Sequence, residues 1–207
     1  DAPEFEVAEG TYYESTNVTI TAADDATIYY VINEDEITAQ NRIEYTGAIS
    51  LSEYGANTIK AYAVKDGFET SEVAEATYTI GKTFASVSDL FAYLDENSLT
   101  SLNNVKVSGL VSQIKSIDPS KYVNGQYYIS DNGQQENELY LYNGKYINGA
   151  DFTVTPACPL EVGDAITVIG NYTENNTREL AQGNFIVSRT AVELESITIG
   201  GAASKTA

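Results

Sequence analysis

Thirty carboxylates, sixteen tyrosines, one thiol and no imidazole are the chemical means of this 207-residue chain. The missing histidine removes the commonest general base and the commonest transition-metal ligand. Neither a Ser-His-Asp nor a Cys-His site can be assembled, and zinc sites of the usual kinds are excluded with them. The thiol, Cys158, sits between Pro156 and Pro159, ahead of an apolar run. A nucleophilic thiol needs a base or an electropositive pocket to lower its pKa, so Cys158 reads as a small packed side chain. With one cysteine, no internal disulfide forms.

Carboxylates could act in pairs. Glycoside hydrolysis asks for two of them about 5–9.5 Å apart across a cleft, one with a raised pKa. Nothing singles out two here, and most lie in turn signals such as Glu34-Asp35-Glu36. No catalytic residue is assigned and the chain does not read as an enzyme. Calcium needs a shell of oxygens from a spaced acidic loop. Asp24-Asp25 and Glu34-Asp35-Glu36 could supply some, but no Asp-x-Asp-x-Asp-Gly loop is present. No metal and no cofactor is expected.

The tyrosines remain. Exposed rings stack on sugars or bases. Tyr140 and Tyr142 alternate with Leu139 and Leu141, Tyr127 and Tyr128 point to opposite faces, and Tyr146 follows close by. Tyr127, Tyr128, Tyr140, Tyr142 and Tyr146 are the candidate ligand-binding residues, with a glycan or a protein as partner. The competing reading is structural, because tyrosine half-buries well in sheets. Nucleic acid is not expected. Stacking aromatics need basic neighbours, whereas residues 81–190 hold 12 acids and 7 bases, with Lys106, Lys115, Lys121 and Lys145 scattered. The net charge of −19 repels phosphate backbones and anionic membranes, and most simply serves solubility. No stretch approaches the ~20 apolar residues of a membrane span. No leader precedes Asp1-Ala2-Pro3, which says little about export.

The elements that must position these residues are almost all strands. Asn17–Ala22, Thr27–Ile32, Thr58–Val64 and Glu75–Ile80 alternate with period two, separated by turn signals at Asp24-Asp25, Asn33–Glu36, Gly47, Gly55-Ala-Asn57 and Asp66-Gly67. Short strands at this spacing predict a β-sandwich. Gly81-Lys82-Thr83 reads as a linker too short to flex. Ser86–Asn97 then reads as a helix, capped by Ser86 with Asp89 and carrying the stripe Leu90, Phe91 and Leu94. Strands resume with Val105, Val107 and Val111 around a bend or bulge at Gly109. Gln126–Ser130 follows, then a hairpin turn at Asp131-Asn-Gly133 and a strand over Glu138–Tyr142. Asn143–Gly149 reads as a loop or short turn of helix, Leu160–Gly170 as a turn into a strand, and Gly183–Ser188 as the last strand. Five curved strands predict a small closed barrel.

Residues 1–80 resemble the small Ig-like module at the C-terminus of chitobiases and related β-hexosaminidases. The matching pieces are Pro3, Phe5, Gly10 and Tyr12, then Val18–Thr21, Ala26–Tyr30, Tyr45–Ile49, and Thr58–Ala63 with Gly67 and Ser71. The segment Asn33–Ile37 departs from the family's Asp-Gly-Ser turn and its proline. The resemblance implies a non-catalytic accessory module. Residues 84–190 resemble the OB-fold-like domains of surface and secreted proteins of Gram-negative gut bacteria. Here the pieces are Val107–Val111, Gln126–Gly133, Leu139–Tyr142, Gly144–Gly149, Val162–Asp164, Val168–Gly170 and Glu179–Gln182. Within the tail 191–207, Glu193–Ile199 and Lys205-Thr206 resemble the start of a bacterial group 2 Ig-like domain.

The expectation is therefore an all-β chain: an Ig-like sandwich over 1–80, an OB-fold-like five-stranded barrel with one short helix over 84–190, and a tail opening a further Ig-like domain. Its expected role is a non-catalytic spacer or docking segment of a multi-domain, extracytoplasmic protein at the cell surface or secreted, monomeric within a longer chain. The alternative is a glycan-binding barrel, with oligonucleotide binding a distant third.

Overall fold

The computed structural model describes residues 1–154 and 157–192. The chain is all-β with one short helix. Its first part holds β1 (Glu4–Phe5), β2 (Gly10–Tyr12), β3 (Thr16–Val18), β4 (Ile20–Thr21), β5 (Thr27–Ile32), β6 (Ile43–Glu44), β7 (Ile49–Leu51), β8 (Gly55–Val64) and β9 (Ala74–Ile80). One sheet runs β2-β9-β8-β5-β6, antiparallel except for β2 against β9. The ribbons β1-β4 and β3-β7 cover one face of it. On β8, Ile59, Ala61 and Ala63 point inward by strict alternation, and Lys60 and Tyr62 point out. Of the inward set, Ile59 and Ala61 pack with Val18, Leu51 and Tyr78 from both layers, which is an Ig-like sandwich arrangement.

The expected strand Asn17–Ala22 is broken at Thr19, because Thr16–Val18 pairs with β7 and Ile20–Thr21 with β1. One run thus feeds two ribbons. The expected turn Gly55-Ala-Asn57 is instead the first part of β8, paired to Asn57↔Tyr78 and Gly55↔Ile80.

The second part holds β10 (Lys82–Phe84), α1 (Val87–Glu96), β11 (Ser101–Ser116), β12 (Gly125–Ser130), β13 (Leu139–Ile147), β14 (Ala165–Glu174), β15 (Arg178–Leu180) and β16 (Phe185–Thr190). The ring β11-β12-β13-β16-β14 closes back on β11, with the short β15 set between β13 and β14. Strand β11 makes closure possible by serving two partners. It pairs with β14 over Ser101–Leu110 and with β12 over Leu110–Ser116. The expected irregularity at Gly109 lies elsewhere: the register is continuous through Gly109↔Ile166 and shifts between Leu102 and Val105 and between Val111 and Gln113. Gly109 sits at a close approach, since a Cβ there would lie 3.1 Å from the Ser130 carbonyl oxygen and 3.3 Å from Ile129 Cβ.

Three more expectations change. Lys82–Phe84 is strand β10, parallel to Val105–Val107, so only Gly81 separates the two sheets. Asp131-Asn-Gly133 opens a longer loop over 131–138 in place of a tight hairpin. Asn143–Ile147 continues β13; Asn143 takes a left-handed conformation (φ 49°) within the strand. Helix α1 starts as expected, with Ser86 Oγ accepting the Asp89 N–H at 3.0 Å. Val87, Leu90 and Leu94 are buried in the barrel core and Phe91 packs against it. The barrel core and the sandwich core are separate clusters. The tail resemblance at 193–207 lies outside the described residues.

Candidate functional site

Cross-strand pairing of Tyr128 with Tyr140 starts the site. Their rings stack at 4.7 Å and 25°, and Tyr142 continues the row at 6.1 Å from Tyr140. Tyr140 is only 6% exposed, whereas Tyr142 is 38% exposed. The Tyr140 hydroxyl donates to Gln126 Oε1, and Lys115 Nζ lies 3.4 Å from that hydroxyl and 4.9 Å above the ring. Burial raises the Tyr140 pKa, opposed by the Lys115 ammonium.

Tyr127 and Tyr146 are not in this row. Tyr127 is fully buried inside the barrel, edge-on to Phe152 at 6.5 Å, with its hydroxyl pushed up in pKa by burial. It cannot stack on an external ligand. The signal was legible, because Tyr127 shares its strand face with Ile129. Tyr146 packs on Phe152 at 5.1 Å, and its hydroxyl donates to the Pro159 carbonyl. The structure thus brings three of the five candidate tyrosines together.

Beside Tyr142 lies a pocket of about 370 Å³ lined by Ser116, Tyr122, Asn124, Gln126, Tyr142 and Asn143. Tyr122 is 58% exposed. Gln126 is oriented from both ends: its Oε1 accepts from Tyr140 and its Nε2 donates to Asn143 Oδ1 at 3.2 Å. Asn124 Oδ1 is buried with no hydrogen-bond partner among the described residues, a state that is costly unless something donates to it. No carboxylate lines the pocket. Amide donors and acceptors beside an aromatic face suit a neutral, hydroxylated ligand. Sequence reasoning missed Tyr122, Asn124, Gln126, Asn143 and Ser116. Gln126 shares the outward parity of Tyr128 and could have been found; Tyr122 and Asn124 come from the β11–β12 loop, whose path pairing alone does not fix.

Two lysines that look scattered in the sequence meet this face: Lys115 at Tyr140, and Lys121 at 5.1 Å over Tyr122. Elsewhere, Cys158 is half-buried with Sγ 3.3 Å from Thr153 Oγ1. Among the described residues no three acids, histidines or cysteines cluster as a metal site, and no helix is long and apolar enough to cross a membrane.

The join between sandwich and barrel is the other notable geometry. Gly81 N–H donates to the Tyr12 carbonyl at 2.8 Å. Thr83 Oγ1 donates to the Tyr13 carbonyl at 2.7 Å, and Tyr54 OH to the Asn103 carbonyl at 3.0 Å. A Cβ at Gly81 would lie 2.6 Å from the Asn104 carbonyl oxygen and 2.7 Å from the Tyr13 ring.

Residues 7–77 match the family model of the Chitobiase/beta-hexosaminidase C-terminal domain. No curated protein and no solved structure matches the chain. The sandwich portion is thereby similar to a non-catalytic, Ig-like accessory module.

Proposed function

We propose that the chain is a non-catalytic segment of a multi-domain extracytoplasmic protein that holds its neighbours at fixed separation and orientation. Its two units are the sandwich of residues 1–80 and an OB-like barrel over 84–190. The ring order β11-β12-β13-β16-β14, with β13 and β16 parallel, supports the OB-like reading. The observation that carries the spacer role is the join. A single residue, Gly81, separates β9 from β10, and hydrogen bonds from Thr83 and Tyr54 cross it. Linkers of this length do not behave as flexible coils.

The test is a spin-label distance between Glu69→Cys and Glu136→Cys in a Cys158→Ser background. One narrow distance is expected; a broad distribution would make the join a hinge and remove the proposal. Cell fractionation of the full-length protein tests the extracytoplasmic location, with cytosolic recovery as the refuting result.

A second reading, a glycan-binding barrel, is favoured by the Tyr122–Tyr142 pocket with its oriented amides and the unpartnered Asn124 Oδ1. A glycan array with the whole chain, repeated with Tyr142→Ala and Asn124→Ala, tests it. Retention by both variants, or no retention by the parent, rejects it. Single-stranded DNA at physiological salt in the same experiment covers the oligonucleotide reading.

A further inference from the structure

On the outward face of the sandwich, far in sequence from the barrel tyrosines, Arg42 is held in an unusual way. Tyr29 and Tyr62 are cross-strand partners on β5 and β8, with rings 5.7 Å apart. The Arg42 guanidinium lies 4.1 Å over the Tyr29 ring, and Nη1 donates to the Tyr62 hydroxyl at 2.6 Å. The group is thus fixed by an aromatic face and a phenol, while most of its five N–H donors remain unused. The other two arginines each pair with a carboxylate, Arg178 with Asp95 and Arg189 with Asp164. Arg42 has none within 4.0 Å among the described residues. Residues 1–80 hold 16 acids against 3 bases, so a carboxylate was the most available partner, and the fold supplies rings instead.

Arg42 also lines a groove of about 800 Å³. Its floor is the outward face of β8 and β9, with Lys60, Tyr62 and Glu75; its walls are the segments 35–39 and 70–73. The first wall is fastened. Lys60 Nζ donates to the Asp35 carbonyl at 2.6 Å, Asn41 Nδ2 to the Glu36 carbonyl at 2.9 Å, and the Thr38 N–H to Asn41 Oδ1 at 2.7 Å. Lys60 is further engaged by Glu75 at 3.7 Å. The groove is therefore preformed, with one immobilised guanidinium that still has donors to give. Asp35, Glu36 and Glu75 line it as acceptors, and Thr38 and Thr70 as hydroxyls.

We propose that this groove binds a saccharide bearing one carboxylate, a uronate whose carboxylate takes the free donors of Arg42. Planar, bidentate recognition of a carboxylate is what a fixed guanidinium does best. The three carboxylates of the groove then accept from the hydroxyls of adjoining neutral rings. The same carboxylates, within a sandwich of strongly negative charge, repel a chain charged at every ring. The ligand class is therefore an oligosaccharide with an isolated uronate. This inference stands apart from the barrel pocket, which lies on the other sheet system.

The test is calorimetric titration of the whole 207-residue chain with three probes: a glucuronoxylan oligosaccharide carrying one glucuronate, the same compound with its carboxyl reduced to the alcohol, and an oligogalacturonate charged at every ring. The mono-uronate should bind, and carboxyl reduction should weaken binding at least about tenfold, as expected for loss of one charge-assisted bidentate pair. Arg42→Gln should weaken the mono-uronate to the same degree and have no further effect on the reduced compound. Arg42→Lys should fall between, and Gly47→Ala, whose added methyl meets nothing within 4 Å, should change nothing. Failure of the mono-uronate to bind, insensitivity to carboxyl reduction, tighter binding of the oligogalacturonate, or loss in Tyr142→Ala with Arg42→Gln silent would each overturn the proposal. Equal binding of a glutamate-rich peptide would overturn the saccharide assignment. The carboxyl-reduced probe needs no variant, so the test survives even if Arg42→Gln is poorly folded.

Discussion

Asp131 Oδ1 accepts the backbone N–H of Val87 at 2.7 Å, which ties the loop after β12 to the first turn of α1. The same carboxylate lies 3.3 Å from the Ser88 N–H. Together with Ser86 Oγ on the Asp89 N–H, the orphan donors of the helix start are met from two places in the sequence. A carboxylate there also complements the helix dipole. Asp131→Ala should destabilise the chain by about 1 kcal/mol, the usual size of a lost cap. Asp131→Asn should recover part of that, since an amide oxygen still accepts. Chemical denaturation of the two variants measures it; equal losses would show that charge, rather than acceptance, matters at this site.

Asp164 is fully buried and accepts from Arg189 Nε at 2.6 Å, from the Glu161 N–H at 2.8 Å and from the Val192 N–H at 3.1 Å. Burial acts to raise its pKa, but the hydrogen bonds from Arg189, Glu161 and Val192 and the charge of Arg189 outweigh it, and the net shift is downward. A carboxylate with a lowered folded pKa contributes stability that is fully present above its unfolded value of about 3.9 and is lost as pH falls through the folded value. Acid unfolding below about pH 4 should therefore be less steep in Asp164→Asn than in the parent. At neutral pH the variant should lose about 3 kcal/mol, because Arg189 is left largely buried without its partner. Denaturation midpoints across pH 2.5–7 read both effects.

How much of this was legible follows from where each signal resides. Strand Thr27–Ile32 was visible because all six of its residues are β-branched or aromatic and both neighbours are antiparallel, although its burial does not alternate strictly. Helix α1 was visible because its cap and stripe are local. Strand β10 was not. Three residues after a glycine carry no period, and its partner Val105–Val107 lies beyond the helix. Asn143-Gly144 reads as a turn on composition alone, yet β13 passes through it with Asn143 left-handed. For the site, alternation placed Tyr140 and Tyr142 on one face of their strand and separated Tyr128 from Tyr127, while the pairing that joins Tyr128 to Tyr140 is seen only in the fold. The amides that give the pocket its chemistry come from a loop and from two strands, so only the closed barrel brings them to Tyr142. Arg42 over Tyr29 was beyond reach, since a loop residue's position over a sheet leaves no periodic trace.

Asn184 is fully buried at the closing seam of the barrel. Its Nδ2 donates to the carbonyls of Tyr142 at 3.0 Å, Leu180 at 3.1 Å and Ala181 at 2.8 Å, linking β13 to the turn between β15 and β16. Asn184→Asp keeps the shape but replaces the donor with an acceptor, facing three carbonyls in the interior. The loss should be about 3 kcal/mol or more, in line with burying an unpaired charge. Asn184→Ala should cost less, about 2 kcal/mol, by leaving carbonyls unsatisfied without adding charge. Thermal denaturation ranks the two; the reverse order would mean that volume governs this seam. Gly144→Ala should share the defect, since its Cβ would lie 2.4 Å from Asn184 Oδ1.

Gly81 is the residue on which the proposed rigidity of the join rests. It does not need a glycine for its backbone, because its φ is not among the left-handed ones. It needs one for space: any Cβ would meet the Asn104 carbonyl at 2.6 Å and the Tyr13 ring at 2.7 Å. Those groups belong to opposite sides of the join. Relieving the contact means moving the sheets apart, which breaks the Thr83–Tyr13 and Tyr54–Asn103 hydrogen bonds. Gly81→Ala should therefore leave each core folded and release the join. The expected result is a broader spin-label distance between Glu69→Cys and Glu136→Cys and a larger radius of gyration in small-angle scattering. Unfolding, expected to be single-step in the parent, should separate into two steps. Gly47→Ala is the control, since its added methyl meets nothing within 4 Å. If Gly81→Ala keeps the narrow distance of the parent, the close approach at Gly81 is not what locks the two sheets together. The orientation must then come from the longer contacts, such as Lys106 to Glu14 at 4.0 Å, the ion pair that crosses the join among the described residues.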